Sequence, residues 1–409
     1  MSYGLNDDEA LRRAAIVTPL RTPVGSFGGA LRPLPAYELA SLVVKAVVES
    51  SGVTPEAIDE VVFAQSYASS EAPCIGRWVA LDAGLPLSVS GIQLDRRCGG
   101  GLQSIITAAM MIQTGAADVV VAGGVESMSN IEHYSADVRW GSRSGSVALY
   151  DRLDRGRERS QPEWRFGPIS GMVETAENLA RAYGIGREES DEFAVRSHRL
   201  AAAAWARGAF DDEIVPVPVP QRRGEPVIVA RDEGVRPDSS TDSLSRLRAL
   251  MPDGTVTAGN SSQQNDAAAA CLVVSEDKLD ELGLRPMGFF VDWAAVGCEP
   301  RTMGLGPVGA VSKLFARTGM TFEDMALVEL NEAFAVQVLA VLDEWKWFDD
   351  NKFNVNGSGI SLGHPIGATG VRMATTMLHE LSRRGGGLGL ETMCIGGGQG
   401  LAAIFETIR

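Results

Sequence analysis

Apolar and polar positions follow the same order in two stretches of the chain. In residues 95–127, a glycine-rich turn at 98–101 precedes an apolar stretch with helical spacing, and a strand-like run at 119–122 then ends in a double glycine. Residues 356–400 repeat this order of turn, helix, short apolar strand and glycine run. Alternating helical and strand patterns are typical of α/β proteins. The repeat predicts two related α/β halves that each bring a glycine-rich loop to one shared site.

The stretch between the two halves has a different pattern. Residues 135–165 are rich in Arg, Ser, Gly and Asp, whereas a long helical pattern runs from about 175 to 206. The prolines of 213–226 predict extended chain near a sheet edge. We therefore expect an insertion that is carried by the first half. The predicted division is an N-terminal half at 1–128 plus about 256–282, an inserted loop domain at 129–255, and a C-terminal half at 283–409.

The charge balance limits which partners the protein can have. The chain of 409 residues carries 37 Lys and Arg against 52 Asp and Glu, which gives a formal net charge of −15. A nucleic-acid partner is not expected, because neutralising phosphates needs a basic face. A phosphate-bearing ligand would need a local basic patch. The inserted stretch holds arginines that form either a solvated surface or such a patch: Arg139, Arg143, Arg152, Arg155, Arg157, Arg159 and Arg165.

Targeting and cysteine patterns favour a cytoplasmic protein without membrane insertion. Residues 1–13 lack the basic and apolar regions of a secretory signal, and no run of roughly eighteen apolar residues predicts a membrane span. The cysteines are scattered without CxxC spacing, so neither a disulfide framework nor a zinc site is expected. They are Cys74, Cys98, Cys271, Cys298 and Cys394.

Cys98 is the first candidate for chemistry. It follows a polar approach, DRR, where a glycine-rich turn enters an apolar helix. A thiol at a helix N-terminus has its pKa lowered by the helix dipole, which favours the nucleophilic thiolate. The glycines at 99–101 would let a bulky substrate approach the sulfur. A buried cysteine that packs as a small apolar residue is the alternative, and this segment alone leaves it open.

His364 and Cys394 are further candidates in glycine-rich segments. His364 lies in GHPIGATG and could take the proton of a cysteine nucleophile, whereas His198 and His379 lie in helical patterns that favour structural roles. Cys394 stands at the end of a short strand, as a core residue or as a second thiol that faces a pocket. The glycines that follow it could supply a backbone N–H to an oxyanion.

Asn331 opens a helical pattern after the apolar run of VELNEAFAVQ. Asn is a good N-cap, so capping the helix is one interpretation. The other is a side-chain amide that holds a water molecule in an oxyanion site.

Several segments together resemble the thiolase family, the acetyl-CoA C-acyltransferases. The likeness extends over nearly the whole chain, with the motifs in the family's order and approximate spacing. The segments are RTPVGSFGGAL (21–31), CGGGLQ (98–103), AGGVESMS (122–129), TAENLA (175–180), TAGNSSQQND (257–266), MGLGP (303–307), NEAFA (331–335), GHPIGATG (363–370) and CIGGGQG (394–400).

The resemblance implies a role for each candidate. Cys98 matches the nucleophile that becomes acylated, and His364 matches the base that activates it and donates to an oxyanion. Cys394 resembles the second cysteine, which moves the proton of the acetyl-CoA methyl carbon. Asn331 matches the residue that orients a water in the first oxyanion hole. The backbone N–H groups of Cys98 and Gly396 match the second hole.

The resemblance also implies binding residues, a fold and an assembly. Ser262 looks like a contact to the pantetheine arm of CoA, with Ala258 and Met172 in the same site, and Arg236 falls where the family meets the CoA phosphates. The inserted domain would face CoA and the substrate. The implied architecture is the five-layer αβαβα thiolase fold, as a homodimer or homotetramer. Acyl-CoA and CoA would be the partners, with CoA as co-substrate, no permanently bound cofactor and no metal.

The reaction expected from this resemblance is CoA-dependent cleavage of a 3-oxoacyl-CoA, reversible as a Claisen condensation. Gly100 replaces the usual small polar residue, and Gly171 stands where some biosynthetic members carry a pocket histidine, so the acyl group stays open. An acetyltransferase that makes acetoacetyl-CoA is the alternative. A condensing enzyme of the ketoacyl-synthase type would lack Cys394, and a non-catalytic acyl-CoA-binding relative would not need the candidate set.

Overall fold

Strands and helices alternate through residues 11–408, the part of the chain that the computed structural model describes. Residues 1–10, on which most of the signal-peptide prediction rests, and residue 409 lie outside it. The strands are β1 (Ala14–Arg21), β2 (Gly25–Ser26), β3 (Glu60–Ala64), β4 (Ser90–Leu94), β5 (Val119–Ser127), β6 (His133–Tyr134), β7 (Tyr150–Asp151), β8 (Val217–Val219), β9 (Val227–Val229), β10 (Asn265–Ser275), β11 (Gly288–Gly297), β12 (Met325–Leu330), β13 (Gly387–Ile395) and β14 (Gln399–Thr407).

The helices lie mainly between the strands and in the inserted stretch. They are α1 (Ala36–Ser51), α2 (Ile75–Asp82), α3 (Gly100–Gln113), α4 (Arg152–Glu158), α5 (Glu163–Phe166), α6 (Met172–Tyr183), α7 (Arg187–Ala206), α8 (Thr241–Ser245), α9 (Leu279–Leu282), α10 (Gly306–Thr318), α11 (Ala335–Trp345), α12 (Gly359–Leu362) and α13 (Thr369–Arg383).

The two halves share one strand arrangement. In the first, β1 is antiparallel to β10, β10 is antiparallel to β5, and β5 is parallel to β3. In the second, β11 is antiparallel to β14, β14 is antiparallel to β13, and β13 is parallel to β12. The two sheets join where Ala15 and Ile16 of β1 pair with Phe289 and Gly288 of β11. The matching topology confirms the duplicated α/β unit.

Apolar side chains divide the molecule into five layers. Leu272 of β10 packs in the core that α1 and α2 form against one face of the first sheet. Val273 points to the opposite face, as the next residue of a strand does, and packs with Ile105 of α3 and Met377 of α13. The other face of the second sheet packs on α10 and α11 through Leu314 and Val338. Helices α3 and α13 therefore lie between the two sheets, which confirms the αβαβα fold.

The inserted stretch lies between β5 and β10. The single helical pattern predicted for 175–206 is two helices, α6 and α7, because Gly184 adopts a left-handed conformation with φ of 66° that ends the first. The predicted extended chain at 213–226 contains β8 and pairs with β9. The three-part domain division stays a prediction. No helix within residues 11–408 is both long and apolar enough to span a membrane.

The double glycine of the first half does not end its strand. Strand β5 continues through Gly123 and Gly124 to Ser127 because β10 pairs with it along this length. A Cβ at Gly123 would clash with the Phe63 ring, and one at Gly124 would clash with the carbonyl oxygen of Gly367. Gly123 therefore makes room for a ring of the neighbouring strand, and Gly124 allows a loop of the second half to pack against β5.

Candidate active site

One cavity gathers most of the candidate residues. Cys98, His364, Cys394 and Gly396 line a cavity of about 240 Å³. Cys98 comes from the first half, and the other three residues come from the second. The inserted stretch contributes further wall residues, including Arg157. The two glycine-rich loops therefore meet at one site, as their repetition predicts.

Cys98 sits in a tight turn that leads into α3. The turn is a single 3₁₀ segment, Arg97–Gly99, and Arg97 has a φ of 47°, which is uncommon for a residue with a side chain. Arg97 Nη1 donates to the Ser66 carbonyl oxygen at 3.1 Å, and the Ser66 hydroxyl donates back to the Arg97 carbonyl oxygen at 3.1 Å. These paired hydrogen bonds fix the position of the half-buried Cys98 thiol.

The pKa of Cys98 differs from the sequence-based expectation. Burial raises the pKa of the thiol, although the backbone N–H groups of Gly396 and of Cys98 itself, and then the Arg97 charge, act to lower it. The expected lowered pKa is therefore wrong, because removing the sulfur from water outweighs the donors at the helix start. Cys98 is a thiol at neutral pH, and a base must remove its proton before it can attack.

The glycines after Cys98 do not open a path for substrate. A Cβ at Gly99 would lie 2.6 Å from the Ile395 side chain, and one at Gly101 would lie 2.8 Å from the Val371 backbone nitrogen. The expectation of substrate access is wrong, because these glycines face the protein. Their absent side chains let α3 approach the second half closely, and this contact holds Cys98 in the same cavity as His364.

His364 is an uncharged imidazole with a fixed orientation. Its Nδ1 lies 2.7 Å from Thr369 Oγ1, and its backbone N–H donates to Asn265 Oδ1 at 2.8 Å. Burial, with the Arg372 charge second, lowers the pKa of the ring to about 3. With Nδ1 bound to Thr369, Nε2 is the ring nitrogen left for chemistry. A neutral imidazole in this position can accept the proton of a thiol.

Asn331 contacts His364 and does not cap a helix. It directly follows β12, whereas α11 begins four residues later with Phe334 as the preceding residue, so the capping interpretation is wrong. Its Nδ2 lies 3.4 Å from His364 Nδ1. Within residues 11–408 its buried Oδ1 has no hydrogen-bond partner. The amide therefore has an acceptor available for a small polar molecule next to the imidazole.

Cys394 is a buried thiol close to the nucleophile. It lies one residue before the end of β13 and is 1% exposed. Burial raises its pKa well above the usual range, and the neighbouring Cys98 raises it further. It packs with apolar side chains such as Met303 and Phe334 and also lines the cavity. Cys394 therefore packs in the core and also faces the pocket, so both interpretations of this residue agree with the structure.

The predicted CoA contacts fall into two groups. Met172, which opens α6, and Ser262, which precedes β10, line the cavity. Arg236 and Ala258 are exposed and do not line it. The backbone N–H of Arg236 donates to Nδ1 of His198, which gives that histidine a structural role. Contacts of Arg236 and Ala258 with CoA stay predictions.

Three supporting residues were not singled out from the sequence. Thr369 and Asn265 hold His364, as described above. Glu126, at the end of β5, accepts hydrogen bonds from the backbone N–H groups of Ser66, Tyr67 and Gly367 at 3.1, 3.1 and 3.0 Å. It thereby ties the segment after β3 to the histidine loop of the other half, and Ser66 of that segment in turn bonds Arg97 of the Cys98 turn. All three residues lie within the motifs that carry the family resemblance. A motif identifies a segment of the chain, but it does not show which of its side chains face the site.

Comparisons with known proteins agree with this geometry. The models described as "Thiolase, N-terminal domain" and "Thiolase, C-terminal domain" match residues 14–277 and 284–407. An acetyl-CoA acetyltransferase of Chromobacterium violaceum is 47% identical over 394 residues, which cover 96% of this chain and 99% of that protein. The crystal structure of the Bacillus anthracis acetyl-CoA acetyltransferase has a TM-score of 0.93 at 42% identity, covering 98% of this chain and 100% of that one.

A human relative has been solved with CoA. The human mitochondrial 3-ketoacyl-CoA thiolase in complex with CoA has a TM-score of 0.90 at 38% identity, covering 97% of this chain and 98% of that one. The fold and these matches define an acyltransferase. The chain belongs to the thiolase family and has thiolase activity.

Proposed function

We propose that the protein cleaves a 3-oxoacyl-CoA with CoA, giving acetyl-CoA and a shortened acyl-CoA through an acyl-enzyme on Cys98. The observation that carries this proposal is the meeting of Cys98, His364, Cys394 and Gly396 at one cavity. A nucleophile, a neutral base, a second acid and backbone donors are the groups that this two-step acyl transfer needs.

In the first step, Cys98 attacks the 3-keto carbon of the substrate. The ring of His364 is uncharged at rest because burial lowers its pKa, and its Nε2 takes the thiol proton. The bond between C2 and C3 then breaks, and its electron pair leaves as the enolate of acetyl-CoA. His364 and a water held by Asn331 stabilise this enolate, and Cys394 donates a proton to its carbon.

In the second step, CoA collects the acyl group. The Cys394 thiolate takes the proton of the CoA thiol, and the CoA sulfur attacks the thioester carbon on Cys98. The backbone N–H groups of Cys98 and Gly396 donate to the tetrahedral oxyanion. Cys98 leaves as a thiolate and regains its proton from His364, so every group returns to its starting state.

CoA is the proposed co-substrate, with its pantetheine arm along Ser262 and Met172. Their position on the cavity wall supports this placement, as does the CoA complex of the human relative. We also propose that the protein degrades acyl chains, as in β-oxidation, and that it is a cytoplasmic homodimer or homotetramer. These remain predictions from the family resemblance.

A biosynthetic acetyltransferase is the second candidate, and the names of the bacterial relatives favour it. A panel of 3-oxoacyl-CoAs with short, long and branched chains distinguishes the two. Thiolysis is followed by loss of absorbance of the magnesium enolate. Cleavage of chains longer than acetoacetyl-CoA supports the first proposal, whereas activity confined to acetoacetyl-CoA would contradict it in favour of the second.

A further inference from the structure

Two arginine side chains line the same cavity as the nucleophile. Arg97 precedes Cys98 in the turn, and Arg157 comes from α4 of the inserted stretch. Both charges act to lower the pKa of Cys98, and the Arg157 charge also acts on His364. Positive charge therefore stands within electrostatic reach of the reacting groups, in a protein whose net charge is −15.

The positive charge of Arg157 is little compensated by acidic side chains of the protein itself. In the described part of the chain its guanidinium makes one hydrogen bond, to Asp154 Oδ1 at 3.3 Å. The Asp154 side chain is 66% exposed, whereas that of Arg157 is 25% exposed, so water screens the acid more than the base. A guanidinium has five N–H donors, and most of those of Arg157 are left for a ligand. A half-buried cation on a cavity wall, whose one acidic partner is exposed, is suited to binding an anionic ligand.

The surroundings of Arg157 leave room for such a ligand. The Ser160 hydroxyl donates to the Arg157 carbonyl oxygen at 2.9 Å and fixes the end of α4. Gly171 faces Arg157: a Cβ added to Gly171 would lie 3.9 Å from the Arg157 Cβ. The φ of 142° at Gly171 disfavours any side chain at this position. The nearby wall is apolar, with Met128 and Ile366 packed against Cys98.

The position of this charge selects between two anions. The phosphates of CoA lie at the far end of the pantetheine arm from the thiol, and that arm is proposed to follow Ser262. Arg157 instead comes from α4, whose Leu153 packs in the same apolar cluster as Cys98, and it lines the cavity next to that cluster. An anion at this place would belong to the acyl chain.

We propose that Arg157, assisted by Arg97, binds a carboxylate carried by the acyl chain, so that the preferred substrates are 3-oxoacyl-CoAs of dicarboxylic acids. This rests on the proposed thiolytic function and narrows its substrate class. The chain would cross the apolar wall at Met128 and Ile366, and its terminal carboxylate would accept hydrogen bonds from the guanidinium of Arg157. The paired donors of arginine match the two oxygens of a carboxylate.

The test compares two substrates that differ only at the end of the chain. These are 3-oxohexanedioyl-CoA, which ends in a carboxylate, and 3-oxohexanoyl-CoA, which ends in a methyl group. We expect kcat/KM of the intact enzyme to be at least about tenfold higher for the first, as for a charge-assisted hydrogen bond. In Arg157→Gln this ratio should fall to near one, whatever the change in kcat/KM for 3-oxohexanoyl-CoA, and Arg157→Lys should recover part of it.

Arg155→Gln is the matched control. Arg155 lies on the same helix, but its guanidinium stacks on Tyr150 at 3.6 Å and does not line the cavity, so the ratio should stay unchanged. Equal kcat/KM values for the two substrates in the intact enzyme would overturn the carboxylate site, and so would an unchanged ratio of these values in Arg157→Gln. Neither result would contradict the proposed thiolysis. Failure to cleave either substrate, or acetoacetyl-CoA, would instead contradict the proposed thiolysis.

Discussion

Cys98, His364 and Cys394 share an environment that favours the uncharged form of each side chain. Burial raises the pKa of both thiols and lowers the pKa of the imidazole to about 3. The resting site therefore holds two thiols and a neutral imidazole, and in the proposed mechanism charge appears only when a proton moves from sulfur to His364. Backbone donors aimed at the Cys98 sulfur then stabilise the thiolate at the moment of attack.

This protonation state predicts how Cys98 responds to alkylating reagents. Because the thiolate is the reactive form and burial raises the thiol pKa, the rate of alkylation by iodoacetamide should rise with pH without a plateau below about pH 8.5. Peptide mass spectrometry at Cys98 separates its rate from that of the exposed Cys74. A plateau near neutral pH would show a preformed thiolate and contradict this prediction.

The division of labour between the two thiols predicts distinct variants. Cys394→Ala should still form the acyl-enzyme on Cys98, slowly, because the nucleophile and His364 remain. It should lose exchange of the acetyl-CoA methyl protons with solvent, because the proposed proton carrier is gone. Deuterium incorporation into acetyl-CoA, followed by NMR, measures the exchange. Normal exchange in this variant would remove Cys394 from its proposed role.

At the scale of elements, Glu126 links the end of β5 to the segment after β3 and to the His364 loop. Burial raises its pKa to about 7 from an ordinary value of 4.5, despite three backbone donors. The folded state therefore binds this proton more tightly than the unfolded state. Its contribution to stability is fully present below the unfolded pKa and is lost as pH rises through the folded pKa.

Glu126→Gln removes this titration while keeping the side-chain shape. The unfolding free energy of the intact protein, relative to the variant, should fall as pH rises from about 4.5 to about 7, at up to about 1.4 kcal/mol per pH unit. Urea unfolding at several pH values measures the difference. A difference that is independent of pH, or that increases toward pH 7, would contradict the pKa direction.

At the scale of the whole molecule, the inserted stretch is held to the first half by buried charge. Arg21 of β1 is fully buried and bonds Glu213 at 2.6 Å and Asp232 at 2.7 Å, both of which belong to the insertion. Removing one partner of a buried ion pair leaves the others uncompensated, which costs about 3–5 kcal/mol.

Arg21→Met should therefore lower the free energy of unfolding by several kcal/mol, on the order of the buried-pair value. Denaturant unfolding measures the change. The control is Arg246→Met, because Arg246 pairs with Asp242 on the surface, where both side chains are about three-quarters exposed and the pair contributes little. Equal effects of the two substitutions would contradict the proposed linkage.

The order of turn, helix and strand was predictable from the chain, because apolar periodicity is local and repeats in both halves. The gathering of Cys98, His364 and Cys394 was also predictable, because their motifs occur in the order of a recognised family. The packing role of Gly99 and Gly124 could not be predicted, since each glycine faces a segment that is distant along the chain. The pKa of Cys98 likewise depends on burial by those distant segments.

Mass spectrometry of the acylated enzyme can show whether Cys98 carries the acyl group. The intact protein is mixed with an acyl-CoA, quenched in acid and digested. We expect one acyl adduct, on the peptide that contains Cys98, which CoA removes and which is absent from Cys98→Ser. An adduct on Cys394, or thiolysis that survives in Cys98→Ala, would contradict it.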